Sequence, residues 1–362
     1  MISSSFWQGK RVFLTGHTGF KGSWLSLWLQ SMGAELTGYA LSPPTNPSLF
    51  QEANVGEAMS SVIADIRDQK RLLLEIQKAQ PEIIFHLAAQ PLVRYSYNYP
   101  VETFATNLMG TVYLLEAIRN TNGVKAVVIV TTDKCYENTE QERSYNENDP
   151  MGGFDPYSSS KGCSELAVAA YRRSFFNSKD YHQHGVAIAT ARAGNVIGGG
   201  DWAQDRLIPD ILTAFQLEKT VKIRNPNSTR PWQHVLEPLS GYLLLAQRLY
   251  DEGPNYAEAW NFGPKNDDAM AVNWILDQMV SKWNTKASWQ LDSETHPHEA
   301  GFLKLDISKA KLRLNWQPTW QLECALTKIT QWHQAWLNKE DMQQICLCEI
   351  NEYSRDMKHE SY

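Results

Sequence analysis

A tyrosine, a lysine and a threonine near the middle of the chain have the types and spacing needed to remove a proton from an alcohol. Tyr157 and Lys161 are four residues apart, so in a helix they share one face and the ammonium lies near the phenol oxygen. A phenol with a pKa of about 10 is a weak base at neutral pH, and a neighbouring cation favours its phenolate. Thr132 follows the apolar run 127–130 and can hydrogen-bond the same alcohol. Such a tyrosine-lysine pair also occurs merely as two residues on a helix face, so the surrounding sequence must show whether the pair is catalytic.

A glycine-rich turn near the N-terminus supplies that context. Residues 10–15 predict a short strand and residues 23–29 a helix, with Gly16-His17-Thr18-Gly19-Phe20-Lys21-Gly22 between them. In this arrangement Gly16 permits a tight turn, and Gly19 lets the backbone approach a pyrophosphate at the helix N-terminus. Gly22 lets the helix pack closely on the strand. We therefore predict a dinucleotide site that includes Gly16, Thr18, Gly19, Phe20, Lys21 and Gly22.

The end of the second predicted strand, 35–41, bears on the choice of dinucleotide. Ser42 stands where NAD-binding proteins usually carry an acid for the ribose. Residues 39–48 contain no arginine or lysine to receive a 2′-phosphate, however. The predicted cofactor is therefore NAD rather than NADP.

Two further stretches are placed to line the cofactor. Asp65 follows an apolar run and begins a helical pattern, so it could accept a hydrogen bond from the adenine amine while Ile66 covers the ring. Equally, Asp65 could be an ordinary helix cap. The strand predicted at 81–87 ends in small residues that let backbone lie against a cofactor, which adds Leu87, Ala88 and Ala89 to the predicted site.

Two polar residues in this region have expected roles that are not catalytic. His86 is interpreted as a hydrogen-bonded core histidine. Residues 106–118 predict a helix that faces the sheet with Leu108, Val112 and Leu115. Asn107, at the start of that helix, is expected to orient a water or a backbone group at the cofactor site.

Strands alternate with helices as far as residue 193, a pattern typical of an α/β fold with a Rossmann-type, doubly wound parallel sheet. We predict an NAD-binding domain mainly at 1–193 and a smaller, irregular substrate lobe mainly at 194–338, with the chain able to return to the first domain. An amphipathic helix is predicted at 322–337. Residues 339–362 are predicted to be a tail with a disordered end at 354–362.

The C-terminal half is rich in loops that carry tryptophan and arginine. Ten of the 13 tryptophans lie beyond residue 200, and most are expected to anchor the packing of the lobe. Arg206, Arg224 and Arg230 are candidates to clamp a diphosphate, although a single arginine is more often a solvated surface residue. His296-Pro297-His298-Glu299 lacks a nearby cluster of further ligands, so no metal is predicted.

Bulk composition excludes several classes of partner. The net charge of −6, with both signs scattered, argues against nucleic acid or an anionic membrane. Five cysteines without framework spacing fit a reducing compartment and no disulfides. The chain shows neither a basic and apolar leader nor an apolar stretch of bilayer length, so a cytoplasmic protein is expected.

The combined pattern resembles the extended short-chain dehydrogenase/reductase family that acts on nucleotide sugars. The resemblance extends to about residue 337 and rests on the glycine turn, Asp65-Ile66-Arg67-Asp68, Ala88-Ala89, Thr132 and the Tyr157–Lys161 pair. Three longer runs, at 132–136, 192–202 and 230–235, are similar to the 4,6-dehydratases of that family, most closely to those acting on CDP-glucose.

This resemblance implies NAD, a CDP-glucose substrate and a closed redox cycle. The sugar is oxidised at carbon 4, water is eliminated across carbons 5 and 6, and the hydride returns to carbon 6. The carbon 4 ketone acidifies the proton on carbon 5. Implied catalytic residues are Thr132, Asp133, Lys134, Tyr157 and Lys161, with Asp133 as the acid. Implied substrate contacts are Gln90, Asn195, Arg206, Arg224, Arg230 and His298.

One position departs from the family pattern. The relatives acting on dTDP-glucose have an Asp-Glu pair after the threonine, and the glutamate removes the carbon 5 proton. This chain has Asp133-Lys134 instead. A lysine can serve as that base only if desolvation or cationic neighbours lower its pKa from about 10.4 to near neutrality.

Two other functions compete with dehydration. A nucleotide-sugar epimerase uses the same tyrosine, lysine and NAD but needs no acid, so Asp133 favours dehydration. A non-catalytic NAD-sensing module would have no use for a phenolate beside Lys161. The resemblance also implies a homodimer, or a dimer of dimers, that pairs through helices at about 98–120 and 157–176.

Overall fold

A seven-stranded parallel sheet runs through the centre of the molecule in the computed structural model, which describes residues 2–139, 143–223, 225–283, 287–292 and 303–359. The strand order is β7-β6-β5-β4-β1-β2-β3, so the direction of winding reverses between β1 and β4. A crevice opens outside the carboxyl ends of the strands at such a reversal. The predicted Rossmann-type α/β fold is confirmed. The strands are β1 (Arg11–Thr15), β2 (Glu35–Ala40), β3 (Ser60–Ile63), β4 (Ile83–His86), β5 (Ala126–Val130), β6 (Ala187–Arg192) and β7 (Ala259–Asn261).

Helices cover both faces of the sheet because its strands are apolar on both sides. In β1, Val12 and Leu14 pack in one core cluster and Phe13 in the other. Such alternation between two buried faces is what a parallel sheet requires. The longer helices are α1 (Phe20–Ser31), α2 (Gln69–Ala79), α3 (Gly110–Arg119), α4 (Pro156–Ser174), α5 (Leu207–Gln216), α6 (Leu236–Glu252), α7 (Val272–Trp283), α8 (Leu322–Leu337) and α9 (Met342–His359).

Shorter elements connect these helices and strands. Short α-helices span Ser4–Trp7, Leu49–Glu52, Val93–Asn98, Pro100–Phe104 and Tyr181–His184, and π-helical turns span Ala105–Met109 and Ala310–Leu314. Turns of 3-10 helix span Val55–Ala58, Asp133–Cys135, Ser178–Asp180, Gly253–Tyr256 and Asn266–Asp268. Short strands pair as Ser144–Tyr145 with Lys304–Leu305, Val196–Ile197 with Gln233–His234, Val221–Ile223 with Trp289–Leu291, and Thr229–Pro231 with Ala269–Ala271. In the described part of the chain, no helix is both long and apolar enough to cross a membrane.

The chain returns to the central sheet after entering the lobe. The edge strand β7 pairs in parallel with β6, and α6 packs beneath the sheet. A third core cluster, built mainly from α5, α7 and α8, belongs to the lobe. Trp260, Trp316, Trp320 and Trp332 pack in the central core rather than in this lobe, because the segments that carry them lie against the sheet domain. Trp202 and Trp336 also pack against the central core. The prediction that most late tryptophans anchor the lobe is therefore wrong, since of the ten only Trp232, Trp274, Trp283 and Trp289 pack in the lobe cluster.

The end of the chain forms the helix α9 instead of a disordered tail. Met342, Cys346, Ile350 and Tyr353 make an apolar stripe at helical spacing and are buried against the central core. The Tyr353 ring lies edge-on to Trp28 of α1, with centroids 5.7 Å apart. The prediction of disorder at 354–362 is therefore wrong for residues 354–359, because they continue a helix that packs against the core.

The helix before β5 buries a different face from the one predicted. The predicted face carried Leu108, Val112 and Leu115, but Leu108 and Val112 are only partly buried. Asn107, Thr111 and Leu114 are buried with Leu115, at ordinary helical spacing. Polar Asn107 and Thr111 can occupy the buried face because they hydrogen-bond to Ser160 and His86.

Candidate active site

The three glycines of the turn between β1 and α1 differ in how much space surrounds them. Gly16 has a φ of +80°, and a Cβ added there would lie 2.7 Å from the Ala88 nitrogen. At Gly22 a Cβ would lie 2.0 Å from the Gly16 oxygen. At Gly19 the nearest atom, again the Gly16 oxygen, is 3.4 Å away. The protein itself therefore forbids a side chain at Gly16 and Gly22, whereas the space at Gly19 fits an approaching pyrophosphate.

Alanine substitutions should separate packing from cofactor binding in this turn. Gly22→Ala should lower the free energy of unfolding by about 1–3 kcal/mol or more, because its methyl group meets backbone. Gly19→Ala should fold normally, because its φ of −82° suits alanine, but should bind NAD at least about tenfold more weakly. Thermal unfolding without cofactor and calorimetric NAD titration would measure the two effects. Equal loss of stability in both variants would contradict this division of roles.

The predicted adenine-binding residues lie beyond β3. Asp65 forms a short ion pair with Arg67, 2.6 Å between Oδ2 and Nη2, and this hydrogen bond lowers the pKa of Asp65. The cap of α2 is Asp68, which accepts from the Arg71 nitrogen at 3.0 Å, so the alternative role of Asp65 as the helix cap is wrong. Ile66 is buried against Gly110.

A hydrogen-bond network fixes the segment that follows β4. Thr15 Oγ1 accepts from the nitrogens of Leu87 and Ala88 at 3.2 and 3.1 Å. Asn107 accepts from the Gln90 nitrogen at 2.8 Å and donates to the Gln90 oxygen at 3.1 Å, so it orients backbone as expected. His86 is hydrogen-bonded through both ring nitrogens, to Thr15 and Thr111, and is the satisfied core histidine that was predicted.

Tyr157 and Lys161 lie on the first turns of α4, which begins beside the end of β5. Asp155 caps this helix by accepting from the Ser158 nitrogen at 3.0 Å, and Pro156 occupies its first position. Lys161 is only 6% exposed, and its Nζ donates to the Val130 oxygen at 3.2 Å. The helix therefore holds Lys161 against the carboxyl end of β5.

Burial moves the proton affinities of this pair in opposite directions. It raises the pKa of Tyr157 to about 12, opposed by a hydrogen bond with Thr132 and by the charge of Arg206. Burial also lowers the pKa of Lys161 to about 8, opposed by the carboxylate of Glu165. The Tyr157 ring keeps some exposure to the crevice. Without a cationic cofactor the phenol is therefore neutral, and its conversion to a base needs additional positive charge or a proton acceptor.

Thr132 is hydrogen-bonded to a buried carboxylate. Its hydroxyl donates to Asp133 Oδ1 at 3.0 Å, and both residues act on the pKa of Tyr157. Asp133 is 2% exposed. A Cβ at Gly194 would lie 1.8 Å from Asp133 Oδ2, so only glycine leaves room for this carboxylate. Gly194 was not among the predicted site residues, although a glycine directly after β6 and Ala193 could have suggested a close approach.

The two lysines next to this centre differ from expectation. Lys134 has an exposed side chain, so the protein alone does not supply the desolvation that a lysine base requires. Lys21, predicted only as a cofactor contact, lies among the charges of the catalytic centre. Burial, together with Arg206 and Lys161, lowers the pKa of Lys21 to about 7, while Asp133 opposes this change.

The predicted substrate contacts lie on several different segments of the chain. Arg206 Nη1 donates to Asp201 Oδ2 at 2.8 Å, and its charge acts on Tyr157. Asn195 adopts a φ of +48°, the left-handed conformation that asparagine tolerates better than most residues. Gln90 Nε2 donates to Thr103 at 2.9 Å, and Arg230 lies on the strand Thr229–Pro231. Arg224 and His298 lie outside the described residues, as does the run His296-Pro297-His298-Glu299.

A buried ion pair beneath the site was missed from the sequence. Arg192, the last residue of β6, donates from Nε and Nη2 to Glu165 at 2.9 and 2.8 Å. Glu165 also accepts from Thr131 and Thr190, at 2.5 and 2.7 Å. Burial would raise the pKa of Glu165, but Arg192 and these hydrogen bonds outweigh it and lower that pKa. Glu165 follows Lys161 by one helical turn, and this spacing was the available signal.

Comparison with known proteins identifies the family to which the chain belongs. The family model described as GDP-mannose 4,6 dehydratase matches residues 13–329. A CDP-glucose 4,6-dehydratase of Salmonella typhimurium is 59% identical over 353 residues, which cover 98% of each chain. Among solved structures, a UDP-glucose 4-epimerase of Thermotoga maritima with UDP-glucose has a TM-score of 0.76 at 21% identity, covering 90% of this chain and 99% of that one. A dTDP-glucose 4,6-dehydratase of Bacillus anthracis in complex with NAD has a TM-score of 0.72 at 21% identity, covering 89% and 96%. The two structures show the shared fold, and the family match over most of the length shows that the chain belongs to the GDP-mannose 4,6 dehydratase family.

Proposed function

We propose that the chain is an NAD-dependent CDP-glucose 4,6-dehydratase, a hydro-lyase that forms CDP-4-keto-6-deoxyglucose. The observation that carries this proposal is the buried Asp133 carboxylate, which accepts from Thr132 and whose charge acts on the Tyr157 phenol. Tyr157, as the base for an alcohol, and Asp133, as the acid for a leaving hydroxyl, can then act on the same sugar. The 59% identity to the Salmonella enzyme supports the choice of CDP-glucose.

The residues divide the reaction between them. The glycine turn would hold NAD, which would supply the hydride acceptor for carbon 4 and the hydride donor for carbon 6. Tyr157 takes the proton of the carbon 4 hydroxyl, and Lys161 favours the phenolate. Thr132 holds that hydroxyl. Asp133 protonates the hydroxyl that leaves carbon 6.

The base that removes the carbon 5 proton is assigned to Lys134. It follows Asp133 in the same 3-10 turn, so the two side chains originate next to each other. Its exposed amine must be covered by the bound sugar before it can act as a neutral base. The role therefore depends on substrate binding rather than on burial within the protein.

Arginines are assigned to the diphosphate. Arg206 and Arg230 lie in the half of the chain that forms the lobe, and guanidinium groups bind phosphate in a bidentate manner. Asn195 and Gln90 are assigned to the sugar and its hydroxyls. An epimerase would use the same tyrosine and lysine but would not need Asp133 as an acid, so dehydration is favoured.

Turnover of four nucleotide sugars tests the proposal. The purified chain, loaded once with NAD, should convert CDP-glucose to the 4-keto-6-deoxy product without accumulating NADH, because the hydride is returned. dTDP-, UDP- and GDP-glucose should react far more slowly. NADH formed in step with product would contradict a closed redox cycle. A 4-epimer as the product would favour the epimerase instead.

We also propose that the protein is a homodimer that pairs through the outer faces of α3 and α4. Leu166 on α4 is 60% exposed, and Met109, just before α3, is exposed as well. Exposed apolar side chains on neighbouring helices suit a four-helix contact.

Sedimentation of two leucine variants tests this interface. Leu166→Arg should shift the protein toward monomer, because the substitution puts a charge into an apolar contact. Leu312→Arg is the matched control, since Leu312 is 84% exposed in the π-helical turn Ala310–Leu314, which belongs to neither interface helix. A monomeric unsubstituted protein at micromolar concentration would contradict the dimer.

A further inference from the structure

An ion pair at the surface joins the sheet domain directly to the lobe. Arg94 Nη1 donates to Asp205 Oδ1 at 2.8 Å, although the two residues are 111 positions apart. Arg94 lies in the short helix Val93–Asn98, which follows the carboxyl end of β4. Asp205 lies in the loop that leads into α5, a helix of the lobe.

Each partner lies beside a residue that the proposed function assigns to the substrate. Arg94 follows Gln90 by four residues. Asp205 immediately precedes Arg206, whose charge acts on Tyr157. A nucleotide sugar held by Gln90 and Arg206 would therefore bridge the same two segments of the chain as the ion pair does. In this respect the inference rests on the proposed function.

The exposure of the pair suits a contact that opens and closes. The side chains of Arg94 and Asp205 are 39% and 43% exposed. An exposed ion pair changes an equilibrium constant by about fivefold at most. The pair can therefore open to admit a substrate, unlike the buried pair of Arg192 and Glu165, whose side chains are 4% and 3% exposed.

Thermodynamic linkage couples this ion pair to the ligand. A ligand that holds the two segments together favours the ion pair, and the ion pair favours the bound ligand by the same factor. Changes within one binding site affect the rate of dissociation more than the rate of association. The ion pair should therefore act mainly by slowing the departure of the ligand.

We propose that Arg94 and Asp205 form a clasp that retains the sugar until its hydride has been returned. In the elimination the carbon 5 proton goes to the base, the hydroxyl of carbon 6 leaves as water with a proton from Asp133, and a double bond forms between carbons 5 and 6. The hydride from carbon 4 is then still on the cofactor. A sugar that left at this stage would be released unsaturated. Both clasp residues are positioning residues, because they hold the two segments rather than the reacting atoms.

A thiol trap counts the sugars that leave too early. Glutathione adds its sulfur to carbon 6 and its proton to carbon 5 of the unsaturated ketone, and mass spectrometry measures the adduct formed per turnover. With the full chain, NAD and CDP-glucose, Arg94→Gln and Asp205→Asn should each raise the adduct fraction about two- to fivefold. Arg248→Gln is the matched control, since Arg248 is also 39% exposed and its ion pair with Glu252 lies within α6.

A substrate that cannot be oxidised measures the clasp without the chemistry. CDP-4-deoxyglucose has no hydroxyl at carbon 4, and its dissociation from the NAD-loaded chain can be followed by displacement with excess CDP. The dissociation rate should rise about two- to fivefold in each single variant. The variant that carries both Arg94→Gln and Asp205→Asn should dissociate no faster than either one, because both remove the same interaction. Such a double-mutant cycle cancels the other contacts of each residue.

Three outcomes would overturn the clasp. The first is an unchanged adduct fraction and dissociation rate in both single variants. The second is a pair of effects that multiply in the double variant, because the two residues would then act independently. The third is an equal effect in Arg248→Gln, which would attribute the change to loss of any exposed charge. If the unsubstituted protein formed no product from CDP-glucose, the proposed function would be overturned, whereas the dissociation rates would still decide the clasp.

Discussion

Tyr157→Phe should abolish formation of bound NADH from CDP-glucose, whereas Asp133→Asn should form bound NADH and stall before water is lost. The tyrosine variant has no oxygen to accept the carbon 4 proton, so hydride transfer cannot begin. The asparagine variant keeps the shape of Asp133 but cannot protonate the leaving hydroxyl. General acid catalysis is typically worth about 10²–10⁴-fold, and product formation in Asp133→Asn should fall by that factor.

A single-turnover absorbance trace separates the two steps. Bound NADH should rise and persist in Asp133→Asn, rise only transiently in the unsubstituted protein and stay absent in Tyr157→Phe. Equal loss of NADH formation in both variants would show that Asp133 is needed before elimination, and the assignment of its role would be wrong.

Local patterns in the sequence were sufficient to predict the sheet and the glycine turn. A buried strand, a glycine turn and a helix form one contiguous unit, so its conformation depends little on distant parts of the chain. The same holds for the helix α8, whose predicted and observed bounds agree. Tyr157 and Lys161 were found because helical spacing alone places them on one face.

Features that depend on contacts between distant segments were not predictable in the same way. Strand β7 joins the sheet about 70 residues after β6, and nothing in its three residues indicates that it pairs with β6. The predicted face of the helix before β5 was wrong because two of its buried residues, Asn107 and Thr111, are polar and are satisfied by Ser160 and His86 from distant segments. The docking of α9 depends on Trp28, more than 300 residues earlier in the chain.

The electrostatics of the site could likewise not be predicted from the sequence. The sequence places Lys134 beside Asp133, but only the structure shows that its side chain is exposed. Conversely, Lys21 lies in the glycine turn, and nothing in its sequence neighbourhood indicates that Arg206 and Lys161 lower its pKa. Electrostatics depend on distance and burial, and neither follows from position along the chain.

Glu165→Gln should cost about 3–5 kcal/mol of unfolding free energy, because it leaves Arg192 charged and unpaired in a buried site. Arg192 and Glu165 are 4% and 3% exposed, and two hydrogen bonds join them. The matched control is Glu252→Gln, which removes an exposed pair with Arg248 and should cost about 0.3–0.5 kcal/mol. Urea titration of both variants would measure the difference. A cost for Glu165→Gln as small as that of the control would contradict a role for this pair in holding α4 on β6.

The same substitution should also change the pH dependence of carbon 4 oxidation. Burial lowers the pKa of Lys161 to about 8, and the Glu165 carboxylate opposes that decrease. Without this charge the pKa of Lys161 falls further, so its ammonium loses its proton at a lower pH and supports the phenolate over a narrower range. The alkaline limit of single-turnover hydride transfer should therefore move to lower pH in Glu165→Gln. The double variant Glu165→Leu with Arg192→Met should recover part of the stability, since no unpaired charge remains, but should keep the shifted limit. If the alkaline limit returned to its original pH when stability was recovered, Glu165 would affect Lys161 only by stabilising the folded structure.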